Sequence, residues 1–233
     1  MATLYSLRTF VVVVGLFGAL LSHSASAGGI MLGGTRIIYP ATAKQVTLPV
    51  RNTSGDASFL VQSWVEDSSG KKSTDFVVTP PMYVSGPHNE NSLRLIYTGE
   101  SPVKDRETLY YFNSKAIPSL DKKKIDNENI LLLAAITRIK LFIRPAGLKI
   151  SVNDAVSKVT FHQQNNGVRI ENPTPYYMTL AKIKSGKKNL PDLMVSPFSS
   201  QSVEVSVQKG HEISYRVLND FGALTPQVNT IVN

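Results

Sequence analysis

The chain has no cysteine among its 233 residues. No disulfide can staple it, and thiolate nucleophiles and thiolate metal sites are excluded. Histidine is nearly as scarce. Of the four, His23 falls in the N-terminal apolar region, and His88, His162 and His211 stand singly, none at metal-ligand spacing from another His, Asp or Glu. No Gly-rich loop leads into a helix, the Gly-x-Ser-x-Gly elbow is missing, and the carboxylates are scattered without a readable pair. Enzyme classes built on those devices find no support, and neither a cofactor nor a metal has a candidate site. The expectation is a protein that is not an enzyme. An amphipathic helical period is absent as well.

Long apolar runs are few, and the first is a targeting signal. Arg8 supplies the positive end, Phe10 to Leu21 the apolar segment, and Ala25-Ser26-Ala27 a small-residue cleavage site. Twelve residues are short for a bilayer of about 30 Å. Residues 1–27 are therefore read as a signal peptide, the mature chain starting near Gly28 and exported. With Arg8 removed, 24 cations face 17 anions. The excess is diffuse. Lys122-Lys123-Lys124 and Lys187-Lys188 lie in turn-like segments, which reads as solvated loop rather than a polyanion site. No aromatic interleaving points to nucleic acid.

The most informative stretch is Ile130 to Pro145, ILLLAAITRIKLFIRP, with no internal Pro or Gly. Its first half has helix-favouring Leu and Ala, but Ile136 to Ile143 alternates apolar and charged residues, a strand pattern. Strand and turn surround it, so the whole run is read as one strand. Sixteen residues at about 3.3 Å each would extend about 50 Å, well beyond a usual strand. Composition alone favours burial on both faces of a sandwich. Arg138, Lys140 and Arg144 fit that poorly, because interior charges need partners or water. The other reading is a strand that is part core and part binding edge.

Short β-rich runs with turn residues between them fill the rest. Before the long run they are Thr35 to Tyr39, Gln45 to Arg51, Ser58 to Val65, Phe76 to Val78, Leu93 to Tyr97 and Thr108 to Phe112. After it come Val156 to His162, Gly167 to Glu171, Tyr176 to Ile183, Ser202 to Val207 and Ile213 to Leu218. Turn signals every 8–12 residues indicate β-sandwiches. The fold class is all-β, with two immunoglobulin-like domains at residues 28–146 and 147–233 and a joint near Pro145-Ala146-Gly147. Three loop motifs stand out. Asn52-Thr53-Ser54 matches a glycosylation acceptor but reads first as a turn. Asn172-Pro173-Thr174-Pro175-Tyr176-Tyr177 reads as a rigid loop feeding a strand, its prolines fixing φ. Asn219-Asp220-Phe221-Gly222 reads as a strand-ending turn.

Taken as an ordered set, several segments resemble the periplasmic chaperones of the chaperone–usher pilus pathway, the type 1 fimbrial chaperones among them. The set comprises TRIIYP (35–40), QSWVED (62–67), TPP (79–81), DRETLYYFN (105–113), KAIPS (115–119), TRIKLFIRP (137–145), NPTPYYMTL (172–180) and NDFGALTP (219–226). It covers essentially the whole mature chain.

The resemblance implies two immunoglobulin-like domains in an L or boomerang arrangement, working in the periplasm. It also implies donor-strand complementation, in which the chaperone lends part of its long strand to an incomplete pilus subunit. By the same resemblance, Arg36 and Lys140 look like the cation pair that anchors the subunit's C-terminal carboxylate. Leu131, Leu133 and Ala135 look like the donor-strand side chains, although Ala135 is smaller than the residue usual there. Glu107, Arg144 and Asp220 match a charged trio bridging the domains. The short loop Pro118 to Asn129 resembles the short-loop branch associated with rod-like pili. The implied partners are pilins, an adhesin and an outer-membrane usher, with no nucleic acid and no membrane insertion. A self-capping dimer that hides Leu131 and Leu133 in the free chain is left open. The alternative is a structural pilus subunit or adhesin on the same sandwiches, against which the missing cysteines and the cation pair argue. A third class, an exported carbohydrate-active enzyme, lacks its carboxylate pair.

Overall fold

The computed structural model describes residues 28–119 and 133–233. The first sandwich holds nine strands: β1 (Ile30–Leu32), β2 (Arg36–Pro40), β3 (Val46–Asn52), β4 (Phe59–Asp67), β5 (Phe76–Thr79), β6 (Met82–Ser85), β7 (Glu90–Tyr97), β8 (Thr108–Pro118) and β9 (Ala135–Arg144). One sheet runs β1-β3-β7-β5 and the other β2-β9-β8-β4-β6. The chain changes sheets between β1 and β2 across Gly33 and Gly34, where the Gly33 N–H donates to Pro49 O. Leu48, Val50, Leu93 and Leu95 of one sheet meet Ile37, Phe112, Leu141 and Ile143 of the other in a single core.

In the second sandwich a four-residue helix α1 (Val152–Ala155) and a 3-10 turn (Val156–Lys158) precede β10 (Thr160–Gln164), β11 (Gly167–Asn172), β12 (Met178–Ser185), β13 (Lys188–Asn189), β14 (Leu193–Val195), β15 (Ser199–Val203), β16 (Glu212–Val217) and β17 (Val228–Ile231). The sheets are β10-β11-β15 and β13-β12-β16-β17, with β14 also on β12. Phe161, Val168 and Ile170 pack against Leu180, Ile183, Ile213 and Tyr215.

All-β architecture on two sandwiches stands as expected from the sequence, but three local readings change. Val156 to His162 is not one strand: its first three residues form the 3-10 turn, and β10 starts only at Thr160. The one helix among the described residues, α1, is four residues long and too short to show an amphipathic period. Ser151 caps α1, its Oγ accepting from the Asp154 N–H and donating to the Asp154 carboxylate, a Ser-x-x-Asp capping signal. Ser202 to Val207 keeps its period of two, yet the pairing with β11 stops at Val203. Val203, Val205 and Val207 still face the core; burial alone, without a ladder partner, suffices for the alternation. The long strand is Ala135–Arg144 within the described residues, and residues 130–132 of the expected run lie outside them.

Candidate functional site

The site grows from β9. Its odd positions Ile139, Leu141 and Ile143 enter the core. Its even positions turn the other way, toward the second sandwich. Phe142 stacks on Tyr177, with ring centroids 5.4 Å apart. Lys140 Nζ lies 3.5 Å from Thr179 Oγ1. Arg144 reaches a carboxylate from each side. The charges that strained a simple core-strand reading thus lie on the face that meets the other domain, except Arg138. That residue lies over the Tyr111 ring and pairs with Glu66 at 3.2 Å.

The three residues of the charged trio come together. Arg144 Nε donates to Glu107 Oε1 at 2.8 Å, and Nη1 and Nη2 donate to the two Asp220 oxygens at 2.7 Å each. Such bidentate, charge-assisted bonds fix orientation as well as distance. Glu107 is only 3% exposed. Its Oε2 accepts the Tyr177 N–H, and its own N–H donates to Pro175 O, so one residue is stitched twice to the opposite loop. Burial raises the Glu107 pKa, opposed by Arg144 and the Tyr177 N–H. Burial works against the Arg144 charge too, but Asp220 and Glu107 outweigh it and hold the pKa above the ordinary arginine value.

The loop that receives Glu107 is built by Asn172 at the end of β11. Asn172 is fully buried, and its Nδ2 donates to Tyr176 O, Val195 O and Ser196 O, while Oδ1 accepts from Thr174 N and Oγ1. The first sandwich repeats the device. At the end of β3, buried Asn52 donates to Ala57 O, Ser85 O and Gly86 O and accepts the Ser54 N–H. The Asn-Thr-Ser motif is therefore a loop organiser, and a buried amide is no acceptor for a glycan. From sequence the Asn52 motif reads as a turn and the Asn172 motif as a rigid loop feeding a strand; the two distant carbonyls that complete each have no local signal.

Arg36 and Lys140 also come together. They are directly opposed in the parallel pairing of β2 with β9, and the guanidinium donates from Nη1 to Leu218 O of the second domain at 3.1 Å. Arg36 Nε is buried and has no partner among the described residues. Burial lowers the Arg36 pKa against the pull of Asp220 and Glu107. Burial, then Arg36, lowers that of Lys140. A cavity of about 110 Å³ between the domains is lined by Arg36, Glu107, Arg144, Tyr176, Leu218 and Asp220. With Lys140, which stands beside Arg36 outside the cavity lining, the cluster counts three cations and two carboxylates, one positive charge in excess, which is what a single added carboxylate would neutralise.

β2 pairs with only the second half of β9, from Lys140 to Arg144. Over Ala135 to Ile139 the inner side of β9 is hydrogen-bonded to β8, while its other side has no strand beside it among the described residues. Leu133 is 70% exposed and Ile136 57%. Ala135 continues the odd row that becomes core at Ile139. Leu131, the third donor-strand candidate, lies outside the described residues, as do residues 120–132 of the connecting loop. Among the described residues no cluster of His, Asp and Glu suits a metal.

These features define a two-sandwich binding module with an open strand edge that runs into a cationic cleft. Residues 29–149 match the family described as "Pili and flagellar-assembly chaperone, PapD N-terminal domain", and residues 154–228 match "Pili assembly chaperone PapD, C-terminal domain". The chain belongs to this pilus-assembly chaperone family, of the chaperone–usher pathway. It is 41% identical over 212 residues to the probable fimbrial chaperone SfmC of Escherichia coli K12, covering 91% of this chain and 92% of that one. It is 40% identical over 227 residues to the chaperone protein FimC of the same strain, covering 96% and 94%. Among solved structures, the periplasmic chaperone SfaE matches with a TM-score of 0.76 at 41% identity, over 88% of this chain and 100% of that one. A chain of the Salmonella enterica SafA pilin–SafB chaperone complex matches with a TM-score of 0.79 at 30% identity, over 90% and 99%.

Proposed function

We propose that the protein is a periplasmic, non-enzymatic chaperone that binds pilus subunits and an adhesin by donor-strand complementation and passes them to an outer-membrane usher. Residues 1–27 are its cleaved signal, and residues 28–146 and 147–233 are its two domains. One observation carries the binding mode: the free side of β9 ends at Arg36 and Lys140. A peptide strand laid along Ala135 to Ile139 with its C-terminal carboxylate at the cation pair must run parallel to β9. It then lies in line with β2, whose first residue is Arg36. Backbone groups on the open edge supply the ladder, and the cations fix the register by holding the chain end. Leu131, Leu133 and Ala135 fill the client's groove. Burying the two leucines yields roughly 3–6 kcal/mol before association costs.

An exposed apolar strand edge is an aggregation hazard unless something covers it. The client does so when bound, and in the free chain a dimer hiding Leu131 and Leu133 would do the same. Glu107, Arg144 and Asp220 hold the domains so that edge and cations face one client. Co-expression with a pilin from the same locus tests the reading. Wild type should co-purify the pilin from periplasmic extract as a stoichiometric complex, whereas Arg36→Ala and Lys140→Ala should fold and recover none. Undiminished pilin recovery with either variant would remove the anchor.

A further inference from the structure

Arg36 lines the cleft with its guanidinium hydrogen-bonded to the second domain at Leu218 O. We propose that the Asn219–Ala223 turn of the second domain is a positioning device for the Arg36 guanidinium, coupling capture of a client's carboxylate to the seating of one domain on the other. The proposal rests on the anchor reading of Arg36. Three contacts place the turn. Asp220 is gripped by both terminal nitrogens of Arg144. Asn219 folds the turn on itself, its Oδ1 accepting from the Phe221 and Ala223 N–H groups. Gly222, at φ +81°, lies against Thr35, the residue before Arg36, so closely that a Cβ there would land on Thr35 Oγ1.

Only glycine satisfies both the left-handed φ and that approach. With the turn so seated, Leu218 O accepts Arg36 Nη1 at 3.1 Å. This bond takes one donor and sets the plane of the guanidinium. Nε stays buried and unpartnered among the described residues. A buried donor without an acceptor is costly, and an arriving carboxylate removes that cost. If the turn shifts, the plane rotates and the fork no longer matches the carboxylate. By reciprocity, a bound carboxylate stabilises the seated turn by the same factor.

The test measures binding of a synthetic peptide, the last residues of a pilin, as free acid and as C-terminal amide. The protein is the full mature chain, as wild type, Arg36→Ala, Gly222→Ala and Asn219→Ala. Wild type should prefer the acid about 10- to 100-fold, the range for a charged hydrogen-bonded group. Gly222→Ala and Asn219→Ala should lose most of that preference while binding the amide as wild type does. Adding Gly222→Ala to Arg36→Ala should change nothing further. Equal losses for acid and amide would mark the turn as merely structural and overturn the proposal. So would an unchanged preference in both turn variants, with the anchor intact. No acid preference in wild type would instead overturn the anchor. Asn219→Ala opens the turn without crowding Thr35, so the test survives if Gly222→Ala does not fold.

Discussion

Arg36 faces Lys140 across the parallel pairing of β2 and β9, two like charges on neighbouring strands of a half-buried wall. Burial lowers both pKa values, and the arginine adds to the lowering at Lys140. The folded protein therefore holds the Lys140 proton less tightly than the unfolded chain. Between the folded value and the ordinary lysine value the unfolded chain binds more protons, so stability rises as pH rises through that window. Lys140→Met should raise the midpoint of thermal unfolding at neutral pH, by about 0.5–2 kcal/mol in stability, while abolishing pilin capture. The gap from wild type should narrow as pH climbs toward the ordinary lysine range. Melts at stepped pH check this; a variant less stable than wild type at neutral pH would contradict it.

Removing Arg144 leaves Glu107 and Asp220 without their cation. Breaking a buried pair from one side costs about 3–5 kcal/mol, because the remaining charge stays buried and unsatisfied. Arg144→Met should cost that much in denaturant melts. The Glu107 pKa, already raised by burial, should go higher once Arg144 no longer opposes it. A raised carboxylate pKa contributes stability below the ordinary value and loses it as pH rises through the folded one. The variant should therefore weaken more steeply than wild type from acid toward neutral pH. Glu107→Gln in the same chain should recover part of the loss and flatten that slope.

Each sandwich has a buried asparagine that ties a strand end to three carbonyls, two of them remote in sequence. Asn52→Ala and Asn172→Ala should each cost roughly 2–4 kcal/mol, since the orphaned acceptors cannot reach water. The two should differ in consequence. Asn52 holds a loop of the first sandwich alone, whereas Asn172 builds the loop whose Pro175 O and Tyr177 N–H meet Glu107. Hydrogen exchange should show Asn172→Ala loosening amides at the domain contact, Tyr177 included, and Asn52→Ala leaving them protected.

What the sequence makes visible follows from how local each signal is. The alternation in SFLVQSWV and the turn in DSSG are written in adjacent residues, and β4 forms as expected. The Ser-x-x-Asp cap at Ser151 is equally local, but the helix it starts is a single turn and leaves no period to read. Pairing is another matter. Nothing in Thr35–Pro40 says that β2 lies parallel to β9, yet that register brings Arg36 beside Lys140. Only the family resemblance joined those positions. Glu107 and Asp220 stand 113 positions apart with Arg144 between them, and this trio likewise needed it. Thr35 against Gly222 and Arg36 on Leu218 O involve a backbone atom and a missing Cβ, for which a single sequence has no signature.

The open edge of β9 carries the last expectation. Leu133 is 70% exposed, so changing it removes almost no packing from the free protein. Leu133→Glu should leave the unfolding midpoint within about 0.5 kcal/mol of wild type, as surface substitutions do. In a client's apolar groove the same carboxylate would be stranded, and burying a charge without a partner is prohibitive. Pilin recovery should therefore collapse. Thr137→Glu lies on the same row, four residues nearer the core, and should act likewise if the client strand spans Ala135 to Ile139. Arg138→Ala, on the opposite face over Tyr111, should leave recovery largely intact. Loss of capture in Arg138→Ala but not in Thr137→Glu would place the client on the other face of the strand.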